Sequence, residues 1–289
     1  MRICMMVEGQ EGISWEQWLA LAQGAETAGL DGLFRSDHYR SILRGDPAGA
    51  LDAWAVLAAL ASHTERIRLG TLVSPVTFRH VSVLAKAVTT VDHISHGRVE
   101  LGIGAGWFES EHTAYGFPFL TTRERLDELD RQLAEIHRQW QADDIWPRPF
   151  QQPHPPVIVG GTAKPRTVRA AVRFADEYNT INPTLEEAKA RKDVLDTAAR
   201  EAGRDPLRYS IFAACVAGRD EAEAQDRLKA WYEFSGLPDG PMLVGTVEQI
   251  VEKLRAYETV GVERAMLQHL VHDDTEMVPL LGEIADALR

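Results

Sequence analysis

Two cysteines, Cys4 and Cys215, are too few for a disulfide framework, and each sits in an apolar, strand-like run. Buried free thiols in a reducing cytoplasm are therefore expected. A chain of 289 residues buries enough core to fold without a covalent staple or a structural metal. It lacks H-x-H, H-E-x-x-H and cysteine clusters, so its scattered histidines predict no metal site. No apolar run reaches the roughly 18 residues of a membrane span. The start, Met1 to Val7, is too short for a secretory leader and has no small-residue cleavage site. Positive charge is in deficit: 31 Lys and Arg face 43 Asp and Glu, a net charge of −12. That balance argues against nucleic acid and anionic membranes as partners. Long disorder is excluded by 45% hydrophobic and 26% charged residues. The expected protein is cytoplasmic, with a small-molecule substrate and a second copy of the chain as its partners.

What is there instead is one rhythm carried from end to end. Short, mostly apolar runs at 2–7, 30–35, 67–73, 99–103, 157–159, 177–181, 209–217 and 264–269 predict eight strands. Helical patterns lie between them at 14–29, 52–62, 81–91, 122–141, 165–174, 184–203, 221–234 and 246–260, with a last one at 275–288. Ser14 with Gln17, Thr184 with Glu187 and Thr246 with Gln249 read as capping boxes. The proline-rich 143–156 stretch reads as a structured loop, because the rhythm resumes after it. Uniform alternation implies an α/β protein with a parallel sheet covered by helices, and eight units close a (β/α)₈ TIM barrel. One domain spanning 1–289 is expected. The alternative, a doubly wound open sheet, calls for G-x-G-x-x-G after the first strand, where the chain has Glu8-Gly9-Gln10-Glu11-Gly12. Glu124, Arg125, Asp127, Glu128, Asp130 and Arg131 read as the solvated face of the 122–141 helix. His63, His93, His96 and His137 read as structural.

In such a barrel the loops leaving the carboxyl ends of the strands build the active site. Those ends carry Glu8 to Gln10, Arg35 to Tyr39, Thr71 to Ser74, Gly104 to Trp107, Gly160 to Thr162, Asn179, Asn182, Gln268 and His269. Asp37 and His38 form the most useful pair chemically, since an imidazole near its ordinary pKa takes or gives a proton; a capping pair is the bland reading. Gly160-Gly161-Thr162 precedes a helix, where free N–H groups and the helix dipole cradle phosphate; a plain turn is the alternative. Gly104-Ala105-Gly106 lets a flat ring or a phosphate tail approach the backbone. Trp107, Gln268 and His269 are candidate substrate-pocket residues.

Several segments together carry a resemblance. They are residues 28–38, ending in Phe34-Arg35-Ser36-Asp37-His38, Arg66 to Val73, and Ser95 to Trp107. Pro155 to Gly161 and the stretch from Gly245 to Val262 complete them. In this order the chain resembles the luciferase-like monooxygenase superfamily, and within it the branch using the deazaflavin coenzyme F420. The resemblance implies a catalytic role for His38 as proton carrier, with Asp37 paired beside it. It implies a non-prolyl cis peptide at Leu72-Val73 against the ring, a phosphate turn at Gly160, Gly161 and Thr162, and backbone contact from Gly104, Ala105 and Gly106. Whether Lys164 or Arg166 faces the cofactor tail stays open. No residues match those that other members use for a sugar phosphate. A deazaflavin moves hydride without activating oxygen, so that branch implies a dehydrogenase or reductase acting on a small organic substrate. The alternative is an FMN-dependent monooxygenase using reduced flavin and dioxygen on the same barrel. A barrel that only binds a partner and an unrelated barrel hydrolase are the remaining readings.

Overall fold

Every residue of strand β1 (Arg2–Val7) after Arg2 is buried, as a strand covered on both faces requires. The computed structural model describes residues 1–43 and 49–289. Its remaining strands are β2 (Gly32–Arg35), β3 (Arg68–Thr71), β4 (Ser74–Pro75), β5 (Val99–Gly104), β6 (Val157–Gly160), β7 (Glu177–Ile181), β8 (Arg208–Gly218), β9 (Leu243–Thr246) and β10 (Arg264–Gln268). Parallel pairing runs β1-β2-β3-β5-β6-β7-β8, and β10 pairs with both β8 and β1, closing an eight-stranded barrel. The open sheet is thereby excluded. β4 extends the pairing of β5, and β9 lines the outer half of β8 from Cys215 to Gly218.

The helices are α1 (Trp15–Thr27), α2 (Ala53–His63), α3 (Val81–Ile94), α4 (Glu109–Tyr115), α5 (Thr122–Gln141), α6 (Pro165–Phe174), α7 (Leu185–Glu201), α8 (Glu221–Ser235), α9 (Val247–Thr259) and α10 (Met277–Ala287). The three expected capping boxes form, and Thr121 with Glu124 makes a fourth at α5. Among the described residues no helix is long and apolar enough to cross a membrane.

The strands' two-residue period divides the core. Ile3, Met5, Val7, Leu33, Val157 and Val159 belong to the layer shared with the helices. Cys4, Met6, Phe34, Ile158, Phe212 and Met266 fill the barrel interior, with Leu72 packed against them. Below them, Arg264 lies fully buried with its Nη2 at 2.7 Å from both Glu100 Oε2 and Glu177 Oε2. Such burial is tolerable only because the charges pair and hydrogen-bond one another. Cys4 and Cys215 are free and buried.

Four expectations need correction. The 67–73 strand ends at Thr71, and β4 starts a separate extension at Ser74. β2 starts at Gly32 rather than at residue 30. Helix α4 was not expected: it has seven residues and no side-chain cap at Phe108, so the usual start signal is missing. Arg125 does not belong to the solvated face of α5. It is buried, its guanidinium bonds the carbonyls of Gly106 and Leu120, and it lies 4.2 Å from the centre of the Phe119 ring.

Candidate active site

The carboxyl ends of the strands meet in a cleft of about 360 Å³. One wall is Leu72, Val73, Gly104, Ala105 and Gly106, the far end Gly160, Gly161 and Thr162, and the mouth Glu8, His38 and Trp107. The structure thus brings together all eight residues assigned to a cofactor, along with His38 and Trp107. The Leu72-Val73 peptide bond is cis, as the resemblance implied. Val73 needs glycine neighbours: a Cβ on Gly104 would lie 2.6 Å from its Cγ2. Arg125 fixes this glycine loop from α5 through the Gly106 carbonyl.

The far end is anchored from β7. The Gly161 N–H donates to the Asn179 carbonyl at 3.0 Å, and the Ala163 N–H donates to Tyr178 Oη at 2.9 Å. Tyr178 Oη also meets Thr167 Oγ1 at 2.9 Å. A Cβ on Gly161 would sit 2.6 Å from that hydroxyl, so the turn closes against Tyr178 only with glycine there. Helix α6 opens on Pro165, and its N-cap residue, Lys164, makes no side-chain cap. Its first-turn N–H groups, together with the dipole, are available to an anion. Arg166 is turned to Asp127 and the Arg123 carbonyl on α5.

His38 does not pair with Asp37. Its Nδ1 lies 2.9 and 3.2 Å from the two oxygens of Glu111, a carboxylate only 1% exposed on α4. Glu111 also accepts the Tyr39 N–H at 2.6 Å and the Arg40 N–H at 3.3 Å. Burial alone lowers the His38 pKa. The bond to Glu111 and its charge, with those of Glu8 and Asp37, outweigh burial and hold it above the ordinary value of 6.5. α4 is pinned in turn by His112, whose Nε2 meets Thr77 Oγ1 at 2.6 Å and whose Nδ1 meets the Phe108 carbonyl at 2.8 Å.

Asp37 lies behind the cleft, accepting from Ser74 Oγ at 2.6 Å and from Arg79 at 2.6 and 3.1 Å. It contributes charge and a rigid loop to His38, without touching the ring nitrogens. Beside His38, Glu8 accepts Gln10 Nε2 at 2.9 Å and Gln268 Nε2 at 3.0 Å. Gln268 therefore reaches the cleft through Glu8. Opposite, Glu11 accepts the Ile42 and Leu43 N–H groups at 2.9 and 3.2 Å, presenting Ile42 to the cleft. His269 is not in this cleft. Residues alternate across a strand, so the residue after Gln268 faces away from the barrel, toward α8.

The sequence reading missed Glu111, Tyr178 and Arg125. Tyr178 was visible only as one position in a strand. Glu111 had a faint signal: acidic residues at 109 and 111, then Gly116, whose left-handed φ of 73° stops the helix.

A closed barrel with a glycine-walled cleft at its carboxyl face and a carboxylate-held histidine at the mouth has the build of a (β/α)₈ enzyme. The chain belongs to the luciferase-like monooxygenase family, whose pattern matches residues 2–238. It is 32% identical over 206 residues to an uncharacterized protein of Mycobacterium tuberculosis, covering 65% of this chain and 70% of that one. It is 28% identical to an F420-dependent glucose-6-phosphate dehydrogenase of Microbacterium testaceum, covering 87% of this chain and 78% of that one. An FMNH₂-dependent dimethylsulfone monooxygenase of Pseudomonas putida is 25% identical over 71% of this chain and 59% of its own. In fold the chain is like an F420-dependent secondary alcohol dehydrogenase, with a TM-score of 0.84 and 18% identity over 100% and 99% of the two chains.

Proposed function

We propose that this protein is a coenzyme F420-dependent oxidoreductase that transfers hydride between the deazaflavin and a small organic substrate. The observation carrying the reading is the position of His38, an ionisable group held by Glu111 at the mouth of a cleft walled by Val73 and glycine backbone. The F420-dependent relative also matches more of this chain than the FMNH₂-dependent one does, 87% against 71%.

The residues present fit the cofactor. The wall of Leu72, Val73 and Gly104 to Gly106 suits a flat ring, and a Cβ on Gly104 would collide with Val73. Gly160, Gly161 and Thr162, with the uncapped start of α6, suit a phosphate. When bound, the deazaflavin supplies a two-electron hydride donor or acceptor. The chain's own contribution is proton handling. With Nδ1 engaged by Glu111, His38 gives a proton from Nε2 to a substrate carbonyl oxygen in reduction, or takes one from a hydroxyl in oxidation. Its raised pKa extends the charged, proton-donating form to higher pH than an ordinary imidazole allows. Trp107 stands edge-on to His38, with centroids 5.9 Å apart, beside the position a substrate would take.

The competing reading is a reduced-FMN monooxygenase on the same barrel, the activity named for the dimethylsulfone relative. Titrating the purified protein with F420 by fluorescence, and with reduced FMN in an oxygen electrode, separates the two. Saturable F420 binding with no oxygen uptake is expected. Tight reduced-FMN binding with oxygen uptake overturns the proposal.

A further inference from the structure

A second cavity, of about 300 Å³, lies outside the barrel wall between the outer half of β8, helix α8 and the loop after β10. Val216, Trp231, Leu270 and Met277 give it apolar walls. Two of its polar side chains are buried without satisfaction. His269 is 1% exposed, and neither ring nitrogen has a hydrogen-bond partner among the described residues; Trp231 Nε1, in a side chain 3% exposed, has none either. Among these residues the Asp274 main chain is the one group that reaches the imidazole, opposing the fall of its pKa, and its contact is too loose to satisfy either ring nitrogen. An imidazole carries at least one N–H in either tautomer, so rearranging its proton does not remove the deficit. Buried polar groups are normally paired, and each exception needs an explanation.

The surroundings define what would pair with them. Arg227 is committed, to Asp274 at 2.6 Å, to Glu223 at 2.8 Å and to the Ala217 carbonyl at 3.1 Å. Asp226 adds a third carboxylate to the lining, so the walls hold more negative than positive charge and disfavour an anion. Burial keeps His269 neutral, which leaves one donor and one acceptor on its ring plus the Trp231 donor. An apolar cavity of about 150 Å³ holds benzene, so this one has room for a two-ring molecule.

We propose that this cavity binds a neutral, mostly apolar small molecule through a hydroxyl or carbonyl group, which His269 and Trp231 Nε1 hydrogen-bond. The site is separate from the cofactor cleft: His269 is the first residue past β10, directly after Gln268, which bonds Glu8 in that cleft.

The test uses 1-naphthol as probe on the full chain, by calorimetry, with 1-methylnaphthalene as the analogue lacking the hydroxyl. One saturable site is expected, with the analogue weaker by about tenfold, the scale of one hydrogen bond. His269→Leu should weaken 1-naphthol by a similar factor, and Ala230→Phe, which fills the cavity, should abolish binding. Should a variant fail to fold, crystals of the unaltered protein soaked in 4-bromo-1-naphthol decide. An anomalous bromine peak beside His269 supports the site. A peak confined to the cofactor cleft, ordered water alone beside His269, or no saturable binding up to the solubility limit overturns it.

Discussion

Glu111 holds His38 from 73 positions further along the chain, at 2.9 Å, and fixes the two residues that follow it through the N–H groups of Tyr39 and Arg40. One carboxylate thus sets both the direction and the charge of the imidazole. Glu111→Gln removes the partner that raises the His38 pKa, leaving the lowering effect of burial dominant. The wild-type imidazolium persists to a pH above its ordinary value, so the limb of the activity profile reporting His38 should move to lower pH in the variant. An unmoved limb, measured on kcat/KM, would remove Glu111 from this role.

Replacing His38 itself should separate chemistry from binding. His38→Ala is expected to lower turnover by about 10²–10⁴, the range for a lost general acid or base, and to leave F420 affinity nearly unchanged. Fluorescence titration followed by turnover on the bound fraction reads both quantities. Full turnover in the variant would mean that the proton travels by another route.

Arg125 is expected to matter more than its place on a charged helix suggests. Arg125→Leu leaves the half-buried carbonyls of Gly106 and Leu120 without their donor. That should cost about 1–3 kcal/mol in denaturant unfolding. The exposed neighbouring change Arg123→Ala should stay within about 0.5 kcal/mol. Equal effects from the two would return Arg125 to the solvated face.

His269 should couple stability to pH in the acid range. Its pKa is pushed down to about 4 by burial, against an ordinary 6.5, with Arg227 adding to the shift and Asp274 opposing it. The unfolded chain therefore takes up this proton first. The stability linked to the neutral ring is present above pH 6.5 and is lost as pH falls toward 4. Relative to His269→Leu, the wild type should lose on the order of 2–3 kcal/mol across that window in pH-dependent unfolding. Parallel curves for the two proteins would show that the ring is not buried neutral.

The barrel was legible because its signal is repeated: eight apolar runs, with helices started by Ser14, Thr184 and Thr246, leave little other topology. The glycine positions of the cleft were legible for a related reason, since strand ends are fixed once strands are counted. What escaped was pairing at long range. Asp37 and His38 are neighbours in sequence, yet the Asp37 carboxylate belongs to Arg79 and the imidazole to Glu111 on a seven-residue helix without a cap signal. His269 was misplaced by one position, and in a strand one position exchanges the inside of the barrel for the outside. Arg125 shows the limit of charge patterning, because a guanidinium on a charged helix still turns inward where two carbonyls and the Phe119 ring receive it.

The ion cluster at the barrel floor bears on the order in which a growing chain takes shape. Glu100 and Glu177 each have a partly exposed partner, Arg68 and Arg208, and share the fully buried Arg264, which β10 supplies after both have left the ribosome. Until residue 264 emerges, two carboxylates committed to the interior lack the cation they share, and β1 lacks one of its two neighbours. The segment that begins at Arg264 therefore decides when the interior closes. A nascent chain stalled before residue 264 should remain open to protease along β5 and β7, and one stalled after the last helix has cleared the exit tunnel should resist. Equal protection of the two chains would show that the floor assembles without Arg264.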